Sequence, residues 1–265
     1  MIRAQGLVKK FGEFTAVDNI AFDVAKGEIF AFLGPNGAGK TTTIKMLTTL
    51  LRPTSGRVSL DGLDPVTHQT AARKQFGIVF QDPSVDDELT AYENMDFHGV
   101  LYSVPKKLRQ VRIEALLKLF ELWDRRSDQV KHFSGGMRRR LEIARSFLHT
   151  PKIIFLDEPT LGLDPQTRNQ LWTHVKKLNE QEQVTVFLTT HYMEEAERIA
   201  HRIAIIDHGK IIAQGTPDEL KQQTATDSLE QAFLALTGNT IREEEASGLD
   251  QLRSMSRAFG RNRNR

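Results

Sequence analysis

The apolar residues of this chain change period several times, and the changes mark out its elements. "AVDNIAFDV" has mixed alternation, Gly27 punctuates it, and "EIFAFL" then runs almost unbroken into Gly34. So short an apolar run suits a central strand buried on both faces. From Lys40 the pattern turns helical through "KTTTIKMLTTLL" and stops before Pro53, whose ring and missing N–H end a helix. A turn at "PTSG" and a strand at "RVSLDG" follow. From about Tyr92 to Leu148 the period is mostly helical, as "RIEALLKLFELW" shows with apolar residues three and four apart. β-Branched runs return in "KIIFLDEP", "VTVFLTTH" and "RIAIIDHGKIIAQG", the first two separated by the helical "PQTRNQLWTHVKKLNEQ". Strand, helix and strand in that rhythm predict βαβ units in a mainly parallel sheet, hence an α/β fold with a helical insertion. Short helices near "PDELKQQ" and "SLEQAFLALTG" close the pattern, no internal repeat is visible, and no structure is assigned from Glu243 onward.

Composition narrows the function classes. With 36 basic and 34 acidic side chains among 265 residues, the formal charge of +2 gives no global attraction to nucleic acid. The absence of cysteine excludes disulfides, thiolate zinc sites and cysteine nucleophiles. No apolar run approaches the length of about 18 residues that a membrane span needs. The opening "MIRAQGLVKKFGEF" lacks the apolar core of a signal peptide, so any service to a membrane is expected from outside the bilayer. Arg253, Arg257, Arg261, Arg263 and Arg265 lie in a terminal stretch without acids. That stretch reads first as a solvated tail and second as an anchor for anionic lipid.

The chemistry sits in three short motifs. "GPNGAGKT", with a buried strand before it and a helix after it, matches the phosphate-binding loop G-x-x-x-x-G-K-[ST]. Gly34, Asn36, Gly37, Ala38 and Gly39 would wrap backbone N–H groups around a β-phosphate, Pro35 would shape the loop without an N–H of its own, and Thr42 falls in the first helical turn behind them. Lys40 would reach the β- and γ-phosphates, and the Thr41 hydroxyl would coordinate Mg²⁺. "IIFLDEP" ends an apolar strand in two carboxylates: Asp157 to hold Mg²⁺, most simply through water, and Glu158 to polarise an attacking water. "HFSGGM" places Ser134, Gly135 and Gly136 at the start of an amphipathic helix, with Ser134 as its N-cap, which makes a second anion site. One nucleotide has little use for both. A two-fold dimer gives both a purpose, because each turn can then close over the phosphates held by the other chain.

These motifs, with Gln81 after "GIVF", "LGLDP" containing Asp164, and His191 in "LTTHYMEEAE", stand in the order and spacing of one family. From about Ile2 to about Gly238 the chain resembles the nucleotide-binding subunit of an ATP-binding cassette transporter. The resemblance implies a P-loop NTPase core with a mainly parallel sheet, an N-terminal antiparallel β subdomain and an inserted helical subdomain. It places the cassette at about residues 1–222, and residues 223–265 as a C-terminal extension with a short helix and the Arg-rich tail. Its cofactors would be ATP and Mg²⁺. Gln81 would sense Mg²⁺ and the γ-phosphate, and Ser134 and Gly136 would bind the γ-phosphate of the opposite protomer. Asp164 would bridge the protomers, His191 would orient the water, and Phe11 would stack on adenine. Two departures are visible: "FSGGM" stands where Leu-Ser-Gly-Gly-Gln is commonest, and Phe11 where tyrosine is more usual. Both look like the branch that exports drugs, polyketides and surface polysaccharides. A single cassette implies a homodimer, or an equivalent second cassette, on an integral-membrane permease at the cytoplasmic face of the cell membrane. Import, a cassette ATPase working on nucleic acid or ribosomes, and a regulatory module without turnover are the alternatives.

Overall fold

The computed structural model describes residues 1–238. The chain opens with β1 (Ile2–Phe11), β2 (Phe14–Val24), β3 (Ile29–Leu33), α1 (Lys40–Leu47), β4 (Ser55–Leu60), α2 (Gln69–Arg73) and β5 (Phe76–Val79). A helical segment follows, with α3 (Ala91–Leu101), α4 (Lys106–Leu119) and α5 (Gly135–Ser146). The chain then returns to the core through β6 (Ile153–Asp157), α6 (Pro165–Glu182), β7 (Thr185–Thr190), α7 (Met193–Ile199), β8 (Arg202–Asp207) and β9 (Lys210–Gly215). It ends on α8 (Pro217–Thr224) and α9 (Leu229–Thr237).

Two sheets form among the described residues. The smaller is antiparallel in the order β2-β1-β4, and the larger runs β5-β6-β7-β3-β8-β9, parallel except for the β8–β9 hairpin. The molecule is thus an α/β P-loop NTPase fold. Burial explains the apolar run of β3. It lies between β7 and β8, and all five of its residues are buried. Period-2 alternation divides them. Ile29, Ala31 and Leu33 face the cluster built with the helical segment, and Phe30 and Phe32 face the cluster shared with the small sheet and α1. On that second side Phe22, Phe30, Phe32 and Phe187 pack ring to ring at 5.6 to 5.8 Å.

Three stretches depart from the periodicity reading. The helix expected to run almost to Pro53 ends at Leu47, where Thr49 turns left-handed at φ 67°. The helical stretch before Leu148 is three helices, broken by Ser103 at φ 57° with Pro105 behind it, and by the loop ahead of Ser134. "RIAIIDHGKIIAQG" folds back as a hairpin, because His208 and Gly209 both take positive φ, as a tight hairpin turn requires. α9 docks through Leu229, Ala232 and Phe233. The Arg-rich tail lies outside the described residues.

Tyr102 and His149 stack at 3.8 Å beside His98, where α3 meets the end of α5. Burial, with Arg145 and His149 nearby, pushes His98 down to about 3. Burial lowers His149 to about 4, with Arg112 adding to the effect and the Phe76 carbonyl opposing it. Both are neutral when folded, whereas an exposed imidazole titrates near 6.5. Their contribution is whole above about pH 6.5 and is lost as the pH falls towards about 4, at up to about 1.4 kcal/mol per pH unit for each ring. The melting temperature is therefore expected to drop between pH 6.5 and 4.5. The drop should be shallower in a His98→Phe, His149→Phe variant, and parallel melting curves for the two proteins would place the acid sensitivity elsewhere.

Candidate functional site

Residues 34–39 connect the end of β3 to the start of α1 at the carboxyl edge of the parallel strands. Two of the loop's glycines are required by close approach. A Cβ on Gly34 would lie 2.4 Å from the Ile206 carbonyl oxygen. Gly39, at φ 105°, would bring one within 2.6 Å of the Ala16 oxygen. Pro35 is half-buried, Asn36 and Gly37 face solvent, and Ala38 is buried. Thr42 is half-buried in the first turn of α1, a turn that contains no acid. Lys40 is 5% exposed and folds back into the loop. Its Nζ donates to the carbonyls of Gly34 at 2.8 Å and Pro35 at 3.1 Å, and lies 3.0 Å from Glu158 Oε1.

The carboxylates reach the same place from β6. Asp157 is 1% exposed; its Oδ1 accepts from Thr189 Oγ1 at 2.6 Å and from Thr41 Oγ1 at 3.2 Å. Its Oδ2 is buried without a hydrogen-bond partner. Burial raises the Asp157 carboxyl against the pull of those two hydroxyls. A buried carboxylate oxygen without a partner, next to a threonine hydroxyl, suits a hard cation that takes its other ligands from water and phosphate. Among the described residues no group of three His, Cys, Asp or Glu could hold a metal unaided.

Glu158 follows at φ 48°, a left-handed conformation that costs about 1–3 kcal/mol for a residue with a side chain. Neighbours hold it there: its N–H is shared between the Thr189 carbonyl at 3.2 Å and Thr189 Oγ1 at 3.0 Å. Thr189 therefore fixes both carboxylates, which the sequence reading did not anticipate. His191 Nδ1 lies 2.5 Å from Glu158 Oε2. Burial alone would raise the Glu158 carboxyl, but the His191 hydrogen bond and the Lys40 charge outweigh it and hold it below the usual carboxylate range. The group therefore joins a cation, an ionised carboxylate and an imidazole beneath a glycine-rich loop.

Other residues singled out in the sequence do not join this group directly. Gln81 sits in an exposed bend after β5, with its carbonyl accepting from Arg139 Nη2 at 3.4 Å. Ser134 caps α5, its Oγ accepting from Met137 N at 3.2 Å, and Ser134 and Gly135 are exposed. Asp164 caps α6 by accepting from Thr167 N and Thr167 Oγ1, and these bonds hold its carboxyl below the usual range. Gly136 packs on that cap, because a Cβ there would lie 2.6 Å from Thr167 Cγ2. The two caps thus share one edge of the molecule. Phe11 is half-buried at the end of β1 with Lys9 Nζ 5.1 Å over its ring. Among the described residues no hydrogen bond or ion pair joins Phe11, Ser134 or Asp164 to Lys40, Glu158 or His191.

Comparisons with known proteins show the family of the chain. The family model described as "ABC transporter" covers residues 17–161. The chain is 40% identical over 252 residues to a daunorubicin resistance ATP-binding protein of Streptomyces coeruleorubidus, spanning 91% of this chain and 79% of that one. It is 45% identical over 228 residues to the daunorubicin/doxorubicin resistance ATP-binding protein of Streptomyces peucetius, spanning 86% and 69%. A solved ATP-binding subunit of an ABC transporter superposes with a TM-score of 0.81 at 30% identity, over 89% of this chain and 99% of that one. A dimeric cassette in a post-hydrolysis state bound to ADP and Pi superposes at 0.74 with 29% identity, over 82% and 98%.

Proposed function

The chain belongs to the ABC transporter family, and from that premise we propose that it is the ATP-hydrolysing subunit of an exporter. In this reading two copies close around two ATP molecules and power a separate membrane permease for drug-like, lipid or polysaccharide cargo. The observation that carries it is the contact of Lys40, Glu158 and His191 under the phosphate loop. Lys40 pairs with Glu158 and donates to two loop carbonyls. ATP offers it stronger anionic partners, so Lys40 turns to the β- and γ-phosphates and frees Glu158. Glu158 then accepts a proton from the water that attacks the γ-phosphorus, the bond to the bridging oxygen breaks, and ADP leaves. His191 orients the water and Phe11 supports the adenine. Asp157, Thr41 and Gln81 would hold Mg²⁺, which neutralises charge that develops on the phosphates. Ser134, Gly135 and Asp164, all exposed, with Gly136 half-buried beside them, would complete the site of the opposite protomer.

The permease reading is supported by an apolar surface on the helical segment. Phe97, Val100 and Leu101 on α3 and Leu108 and Val111 on α4 are all exposed, where a soluble monomer would show few such neighbours. No helix among the described residues is long and apolar enough to cross a membrane. The cytoplasmic membrane face and the exported cargo rest on the family and on the names of the relatives. A nucleic-acid target gains nothing from the near-neutral charge. A Leu101→Glu, Val111→Glu variant tests the surface. We expect it to bind ATP normally, yet to fall about tenfold in washed membranes of the native host, the scale on which buried interface anchors act. Unchanged membrane recovery would remove this surface from the permease contact.

A further inference from the structure

Arg139 lies in the run "MRRRLE" on α5, and the structure buries it to 7% exposure. A guanidinium has five N–H donors in a fixed fork. Here each has an acceptor. Nε donates to the Pro159 carbonyl at 2.8 Å, and Nη2 to the carbonyls of Glu158 at 3.2 Å and Gln81 at 3.4 Å. Nη1 donates to the Phe80 carbonyl at 2.6 Å and to Glu142 Oε2 at 3.1 Å. Glu142, 3% exposed, uses Oε1 to take the N–H and hydroxyl of Ser84. One buried ion pair on α5 thus holds both ends of the Gln81 loop and the main chain at Glu158, the residue kept left-handed. The same helix begins at the Ser134-Gly135-Gly136 turn.

We propose that Arg139 is a positioning residue for hydrolysis, fixing the main chain of Glu158 and Gln81 against the helix that presents Ser134 to the opposite protomer. The assignment rests on the ATPase reading above and extends it. Arg139 joins the groups that act on a protomer's own nucleotide to the turn that acts on its partner's. Closure at one composite site therefore moves a rigid helix tied to the base of the other. The charge of Arg139 alone would not do this. Four of its five bonds go to main-chain carbonyls in two separate segments, and only a planar fork spans them.

The full-length chain provides the test, as wild type, Arg139→Lys, and Arg139→Gln combined with Glu142→Gln. The double variant removes both buried charges together and leaves neither unpaired. The lysine variant retains the ion pair and loses the fork. We expect both to melt within a few degrees of wild type, with kcat down about 10²-fold and KM for Mg-ATP within about threefold, as misplaced catalytic groups behave. Amide hydrogen exchange should quicken at residues 80–84 and 158–161 in both. Wild-type kcat with unchanged exchange would overturn the assignment. A wild-type chain with no turnover would overturn the hydrolysis reading instead, and exchange at the two segments would still decide whether Arg139 fixes them.

Discussion

Glu158→Gln is expected to lower steady-state Mg-ATP turnover by about 10²–10⁴-fold, the scale that a positioned general base supplies. The expectation comes from the carboxylate's surroundings. His191 and Lys40 hold it ionised despite burial, so it is free to accept a proton once Lys40 turns to the phosphates. Glutamine is nearly isosteric and can still meet His191, and the backbone at φ 48° remains held by Thr189. What it cannot do is take the proton of an attacking water. Glutamine also releases Lys40 from the 3.0 Å ion pair, which removes a competitor for the phosphates. ATP affinity should therefore hold or rise while turnover collapses. Light scattering on size-exclusion chromatography should then find an ATP-dependent dimer that persists, because closure is no longer followed by hydrolysis. Turnover within about threefold of wild type would take the base role away from Glu158.

How much of this could be read from the residues depended on how local the determining physics is. The phosphate loop was legible because close approach to Ile206 and Ala16 admits only glycine at Gly34 and Gly39, and that need is written into eight consecutive residues. β3 was legible because burial on both faces leaves no polar position. The helix ends were less so. Thr49 and Ser103 stop their helices by taking positive φ, a conformation that neither residue type announces. Thr189 and Arg139 were beyond reach for another reason. The carboxylates and carbonyls they hold are far along the chain, so "LTTH" and "RRRLE" look like a strand end and a charged surface until the fold closes. Arg139 and Glu142 do stand three apart on α5 among the buried Leu141 and Ile143, a pattern that a solvated run of charges does not share. The proposed pairing of the Ser134 turn with the phosphates of another chain is a feature that a single chain cannot display.

That pairing makes a mixing experiment decisive. Glu158→Gln disables the chemistry of a protomer's own nucleotide. Ser134→Glu would set a carboxylate where the proposed reading puts a γ-phosphate, and each variant alone should be nearly inactive. In a mixed dimer one composite site receives both lesions. The other joins the intact Glu158 of one chain to the intact Ser134 of its partner. If Ser134 serves the opposite nucleotide, an equimolar mixture combined before ATP is added should recover up to about a quarter of wild-type turnover, since random pairing makes half the dimers mixed and each has one whole site. If Ser134 serves its own chain, both protomers of every dimer are defective and mixing restores nothing. Closure can be read separately from turnover, because a chain without cysteine is a clean background for engineered pairs. Asn36→Cys and Gly135→Cys lie on exposed backbone on either side of the expected interface. A disulfide between them requires Cα atoms within about 7 Å. Mg-ATP should drive its formation between chains in the double-cysteine protein, with little forming when ATP is absent. Crosslinking without recovery would keep the sandwich and make the two sites interdependent, whereas the absence of both would return Ser134 to the role of a helix cap.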